Sequence, residues 1–94
     1  MSAEIDLDSS FFVPPQVMSR LVGDETVLLD LATGLYFGLD GVGKRIWENI
    51  ADGQSANQIA ITISGEYDVD ADRAQKDVID FVDKLLEQGL LLTN

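Results

Sequence analysis

Hydrophobic and polar residues alternate in short runs in the first part of the chain, and glycine separates the runs. Residues 17–22 and the run TVLLDL predict two strands, with Gly23-Asp24 as a two-residue hairpin turn between them. A third strand is predicted over residues 35–39, after a tight connection in which Gly34 takes a positive φ. The pattern therefore predicts a three-stranded antiparallel meander.

After the third strand the hydrophobic period changes from two to that of a helix. Asp40 is the predicted N-cap of a first helix, and Gly53 lies just beyond its end. Ser55 and Gln58 form a capping box for a second helix, whose end is predicted at Gly65. Two helices are thus expected directly after the sheet.

The third predicted helix is the longest and begins at its N-cap Asp70. It runs to about Gln88, and Gly89 stops it. Its apolar residues cover an arc of roughly 160°, wider than the ~100° that a surface helix needs to face a core. The residues of this arc are Ala74, Val78, Ile79, Phe81, Val82, Leu85 and Leu86. Part of the arc is therefore expected to face something other than the core.

This order of elements predicts an α+β fold that resembles a winged helix-turn-helix domain, with a three-stranded antiparallel sheet followed by three α-helices. Residues 1–13 carry acids and serines without periodicity and are expected to form a flexible N-terminal arm. Residues 14–94 are expected to form one domain, since 94 residues fit a single core.

Charge and composition narrow the function classes. The net charge of −11 repels phosphate backbones and anionic lipids, so we expect neither nucleic acid nor membrane as a partner. The chain has no cysteine, no run of about 20 apolar residues and no basic N-terminal segment typical of a signal peptide. These features predict a soluble cytoplasmic protein.

Catalytic and metal-binding chemistry has little support in the sequence. Without His or Cys there is no ordinary nucleophile and base pair and no standard zinc cluster, so we expect no enzyme activity, no metal and no cofactor. The run from Gly38 to Lys44 has P-loop spacing, but Arg45 stands where a Ser or Thr must hold magnesium. The acids at 68, 70 and 72 begin like a calcium loop, but Arg73 replaces its glycine.

The stretch VLLDLATGLYFGLDGVGKRIWENIADG, followed by a capped helix and then DADRAQKDVIDFVDKLLEQGLL, resembles the PqqD-like peptide-recognition proteins. The resemblance covers about residues 17–92 and is carried by the order and spacing of these segments. It implies a recognition element for the leader segment of a ribosomally made precursor peptide (a RiPP recognition element), of the stand-alone type found in lasso-peptide pathways. The partners that it implies are the leader peptide, a leader peptidase, and a cyclase or another modifying enzyme.

In that family the leader adds as an extra strand beside the third strand and packs against the third helix. Strand addition at an open sheet edge is consistent with the residues themselves. The expected peptide-binding residues are Leu35, Tyr36 and Phe37 on the strand, and Val78, Phe81, Val82 and Leu85 on the helix. Tyr36→Ala and Val82→Asp are expected to weaken binding while the domain stays folded, and Trp47 is expected in the core.

Two other functions are compatible with the same elements. A DNA-binding regulator would present a basic face, although the third helix with the turn before it carries seven acids against three basic residues. A structural subunit of a larger enzyme would have its third strand covered by its own arm or by a second copy. The fold decides between these alternatives.

Overall fold

The structure, a computed structural model, describes residues 8–39 and 41–93. These residues form five strands and three helices in the order β1 (Phe11–Phe12), β2 (Val17–Val22), β3 (Glu25–Asp30), β4 (Tyr36–Leu39), α1 (Gly41–Ala51), α2 (Ala56–Tyr67), α3 (Ala71–Glu87) and β5 (Leu92–Thr93). The α+β architecture expected from the sequence, a three-stranded antiparallel sheet followed by three helices, is confirmed. No helix among the described residues is long and apolar enough to cross a membrane.

Strands β2, β3 and β4 form an antiparallel sheet in which β3 is central. Leu28 of β3 pairs with Ser19 on one side and Phe37 on the other, and it is completely buried. The third predicted strand corresponds to β4, which begins at Tyr36. Its predecessor Leu35 belongs to the turn, because its amide donates to the side chain of Thr33 at 3.2 Å.

A buried carboxylate fixes the turn that leads into β4. Oδ1 of Asp30 accepts hydrogen bonds from the backbone amides of Ala32 at 2.8 Å and Thr33 at 3.3 Å. The backbone of Asp30 donates to the carbonyl of Leu35 and accepts from the amide of Gly34. An aspartate that replaces missing backbone partners in this way favours a tight turn, so Asp30 determines where β4 begins.

Helices α1 and α2 start and end for local reasons. The predicted N-cap of α1, Asp40, lies outside the described residues. The capping box of α2 is confirmed, since Ser55 accepts from the amide of Gln58 and the Gln58 side chain accepts from the amide of Ser55. The predicted end at Gly65 is wrong, because α2 continues to Tyr67 and Asp68 takes the left-handed conformation with φ 54°. One glycine inside a helix costs only about 1 kcal/mol, which the surrounding helix can offset.

An ion pair joins α1 to α2 at the surface. Nε and Nη2 of Arg45 each donate to a carboxylate oxygen of Glu66 at 2.8 Å, and Arg45 also lies 3.4 Å from Glu48. The hydrogen bond from Arg45 lowers the pKa of Glu66, while the same contact raises the pKa of Arg45. Both side chains are more than a third exposed, so the pair contributes modestly to stability.

Helix α3 packs against α2 and contributes four residues with no exposed surface to the core: Ala74, Val78, Val82 and Leu85. Asp70 precedes the helix as its N-cap, although its side chain makes no capping hydrogen bond. Gly89 with φ 73° follows the end, as predicted. Trp47 of α1 is 5% exposed and lies in the same core, which confirms its expected place.

The end of the predicted N-terminal arm takes part in the fold. Phe11 is buried, and β1 pairs with β5 in the antiparallel registers Phe11 with Thr93 and Phe12 with Leu92. The carbonyl of Ser9 also accepts from the amide of Ala56 at the start of α2. The arm is therefore attached to the domain from about residue 9, and its residues 1–7 lie outside the described part of the chain.

Candidate peptide-binding site

Strand β4 is an edge of the sheet, and no strand among residues 8–39 and 41–93 pairs with its outer side. Hydrogen bonding alternates along an antiparallel pair, and the amide of Asp30 donates to Leu35. By this alternation Phe37 and Leu39 exchange bonds with β3. The amide and carbonyl groups of Tyr36 and Gly38 then point away from the sheet. These groups can bind an extended chain.

A groove with a volume of about 320 Å³ lies between β4, the first turn of α1 and the outer side of α3. It borders the open edge of β4. Its lining residues are Phe37, Gly38, Leu39, Gly43, Asp80, Phe81 and Lys84. The groove thus places apolar rings directly beside free backbone groups.

One glycine makes room in this groove. A β-carbon at Gly43 would lie 3.1 Å from Cε1 of Phe81, so only glycine lets α1 approach this ring without displacing it. Gly38 contributes backbone to the groove, since a β-carbon there would point to the face opposite Phe37, 3.2 Å from the carboxylate of Glu25. The glycine that the groove requires is therefore Gly43.

The charged residues of the groove are few. Nζ of Lys84 lies 5.9 Å from the centre of the Phe37 ring, a cation–π contact on the groove wall. The carboxylate of Asp80 is held by Nζ of Lys76 at 3.1 Å. In the described part of the chain, no group of three or more acidic side chains is placed to hold a metal ion.

A larger depression of about 590 Å³ lies between the β2–β3 hairpin and α1. It borders the other sheet edge, but its walls carry the charges of Arg20, Lys44, Arg45, Glu48 and Asp52. A peptide that binds mainly through apolar side chains finds less to contact there. The groove at β4 is therefore the better candidate.

The structure brings two of the seven expected site residues into the groove. Phe37 and Phe81 line it, and both are partly buried against the core. Tyr36 lies on the edge strand with 72% of its surface exposed, but its side chain points to the face opposite that of Phe37. Leu35 is exposed in the preceding turn and does not line the groove.

The other three expected residues, Val78, Val82 and Leu85, have no exposed surface. They offer a peptide nothing to contact in this structure, because they belong to the hydrophobic core. A carboxylate at Val82 would be buried without a partner, which is strongly destabilising. The burial of Val82 therefore argues against the expectation that Val82→Asp stays folded.

Sequence reasoning missed Gly38, Leu39, Gly43, Asp80 and Lys84. Lys84 follows Phe81 by three residues and therefore shares its side of the helix, which the helical period could have shown. The contact between Gly43 and Phe81 joins residues that are 38 positions apart. No local pattern could have found it.

Comparison with known proteins gives the family of this chain. The family model of coenzyme PQQ synthesis protein D (PqqD) matches residues 25–91. No curated protein matches the chain significantly. The structure of TbiB1 in complex with the TbiA(beta) leader peptide is similar with a TM-score of 0.79 and 42% sequence identity, over 84% of this chain and 92% of that chain.

A lasso peptide synthetase B1 complexed with the leader peptide gives a TM-score of 0.84 at 29% identity, over 88% of this chain and 98% of that chain. The matched region contains the sheet from β3 onward and all three helices. The chain therefore belongs to the PqqD family and is a PqqD-like RiPP recognition element.

Proposed function

We propose that the protein is a non-catalytic adaptor that binds the leader segment of a ribosomally made precursor peptide in a lasso-peptide pathway. The observation that supports this most directly is the open edge of β4 beside the groove lined by Phe37 and Phe81. The two similar structures are of proteins bound to leader peptides, and this similarity also supports the proposal.

In this proposal the leader extends the sheet as a strand next to β4. Its backbone pairs with the free groups of Tyr36 and Gly38, and alternate side chains enter the groove. Each hydrogen bond contributes only about 0.5–1.5 kcal/mol net, whereas burial of a Leu-sized side chain contributes about 1.5–3 kcal/mol. The backbone therefore sets the register of the leader, and the side chains in the groove supply most of the affinity.

The adaptor would then present the core of the precursor to a leader peptidase and a cyclase. An acidic, cysteine-free chain is compatible with such a step in the cytoplasm. In a structural subunit, β4 would be covered by the protein's own arm or by a second copy. No strand within residues 8–39 and 41–93 pairs with the outer side of β4, which supports peptide binding over coverage by that part of the chain.

The first prediction tests strand addition by removing one amide. Gly38→Pro deletes an outward N–H and is compatible with an edge strand. We expect a fluorescein-labelled leader peptide, taken from the precursor gene nearest to the gene of this chain, to bind the wild type with a Kd between about 1 nM and 10 µM. The Gly38→Pro variant should bind the leader about two- to tenfold more weakly in fluorescence polarisation.

Ser19→Pro is the matched control, because its amide points away from β3 at the opposite edge of the sheet. It should leave the affinity unchanged. Tyr36→Pro deletes the other free amide and should reproduce the loss. Far-ultraviolet circular dichroism verifies that each variant is folded. Equal binding by the wild type and both β4 variants would rule out strand addition at this edge.

A further inference from the structure

One side of the groove carries a cation that the fold does not use for an ion pair. Lys84 lies one turn after Asp80 on α3, and its ammonium is held over the ring of Phe37 at 5.9 Å. Among residues 8–39 and 41–93, no carboxylate lies within ion-pair distance of Lys84. A cation–π contact satisfies only one side of an ammonium, which keeps three donors.

Two acids before this lysine on α3 have other partners, and Glu87, one turn after it, lies beyond ion-pair distance and does not line the groove. Asp80 is bound by Lys76 at 3.1 Å, and Asp77 lies 3.4 Å from Arg73. Of the two charged residues that line the groove, Asp80 is therefore ion-paired with its neighbour and Lys84 is not. Lys84 is thus an unpaired cation in the groove of a chain whose net charge is −11.

The position of Lys84 relative to an added strand follows from sheet geometry. A peptide strand next to β4 would lie about 4.7–4.9 Å away, and its residue opposite Phe37 would point to the same face as that ring. This peptide side chain would lie beside the ammonium of Lys84. The inward-facing peptide residue two positions away would lie opposite Leu39 and face the apolar wall at Gly43 and Phe81.

We propose that Lys84 is a specificity-determining residue that selects peptides with an Asp or Glu at the position opposite Phe37, two residues from an apolar side chain. This inference rests on the proposed function, since it assigns a substrate preference to the same groove. Because acidic residues outnumber basic ones on this chain, attraction to Lys84 would also position an acidic peptide along β4.

The second prediction tests this preference with peptides of random sequence, so the natural ligand need not be identified. A display library of random 15-residue peptides is selected in parallel on the wild-type protein and on the Lys84→Glu variant. Peptides that also bind the Gly38→Pro variant are removed, so that only peptides using the β4 edge remain. We expect the wild-type pool to be enriched in Asp or Glu two positions from an apolar residue, and the Lys84→Glu pool to be enriched in Lys or Arg there.

Single peptides from the wild-type pool measure how much affinity depends on the acidic residue. Exchange of their acidic residue for Lys should weaken binding to the wild type by at least about threefold and strengthen binding to Lys84→Glu. Lys84→Met keeps the length of the side chain but removes its charge, and should bind the two peptides equally. Arg20→Glu makes the same charge change on β2, away from the groove, and should select the same peptides as the wild type.

The outcomes separate this inference from the proposed function. If the wild-type and Lys84→Glu pools have the same charge preference at every position, Lys84 does not select the peptide, although strand addition stands. If no edge-dependent peptide is recovered with the wild type, both the inference and the proposed function fail. A pool whose charge preference reverses with Lys84 alone supports both.

Discussion

At the scale of single residues, the groove depends as much on missing side chains as on those present. Gly43 lies on α1 and faces the ring of Phe81 on α3, with no room for a further carbon at normal contact distance. The ring of Phe81 is partly exposed, so it can move when it is pushed. Because this ring lines the groove, any such movement changes the shape of the groove.

The third prediction follows from this contact. Gly43→Ala places a β-carbon 3.1 Å from Cε1 of Phe81, and we expect the ring to shift and leader binding to weaken by about three- to tenfold while the fold remains intact. Gly65→Ala is the matched control, because Gly65 is also helical and has no atom within 4 Å of the added carbon. It should stabilise the protein by up to about 1 kcal/mol without changing affinity.

Fluorescence polarisation measures the affinity of both variants, and urea unfolding measures their stability. If Gly43→Ala bound the leader as tightly as Gly65→Ala does, the contact with Phe81 would have no effect on the groove.

Individual residues also show where sequence reasoning stops. The wide apolar arc of α3 correctly indicated that the helix has more apolar surface than one core contact needs, and Phe81 is the part that reaches the groove. A helical wheel gives angles but not the position of neighbouring elements. For this reason it could not show that Val78, Val82 and Leu85 are covered completely.

At the scale of elements, the strands and helices were predictable because their signals are local. The hairpin at Gly23-Asp24, the capping box of α2 and the terminal Gly89 each specify a boundary through nearby backbone groups. The pairing of β1 with β5 had no such signal, since it joins residues at opposite ends of the described chain and involves only two residues per strand. Short strands of this kind depend on tertiary contacts.

The fourth prediction concerns the ion pair that joins α1 and α2. Because Arg45 lowers the pKa of Glu66 in the folded state, the pair contributes stability above the unfolded-state pKa, and this contribution is lost as the pH falls through the folded-state pKa. Glu66→Gln should therefore lower Tm relative to the wild type above about pH 5, and the difference should shrink progressively as the pH is lowered below the unfolded-state pKa.

Thermal unfolding followed by circular dichroism at several pH values measures this difference. Glu87→Gln makes the same chemical change on α3, at an acid for which the described residues provide no ion pair. Its Tm should not fall relative to the wild type at neutral pH. A Glu66→Gln effect that is constant across the pH range would contradict an electrostatic origin.

At the scale of the whole molecule, the acidic charge separates this protein from DNA-binding proteins of similar shape. Helix α3 carries five acids against Arg73, Lys76 and Lys84, and its basic residues at 73 and 76 are paired within the helix. A phosphate backbone gains little from such a surface. The alternative of a DNA-binding regulator is therefore disfavoured.

The fifth prediction tests this alternative directly. A 30-base-pair duplex of mixed sequence should show no mobility shift with protein at concentrations up to about 100 µM in about 50 mM salt, conditions that favour nonspecific binding. The leader peptide should bind under the same conditions. A DNA complex that becomes tighter as salt is reduced would instead support a regulator.

Trp47 is the only tryptophan of the chain, and it lies in the core with 5% of its surface exposed, one turn after Gly43. Its indole is shielded from water as long as the domain is folded, and it does not line the groove at β4. Intrinsic fluorescence therefore gives a label-free reporter of the folded population. With a labelled peptide in the same cuvette, loss of folding and loss of binding can be read at separate wavelengths from one sample.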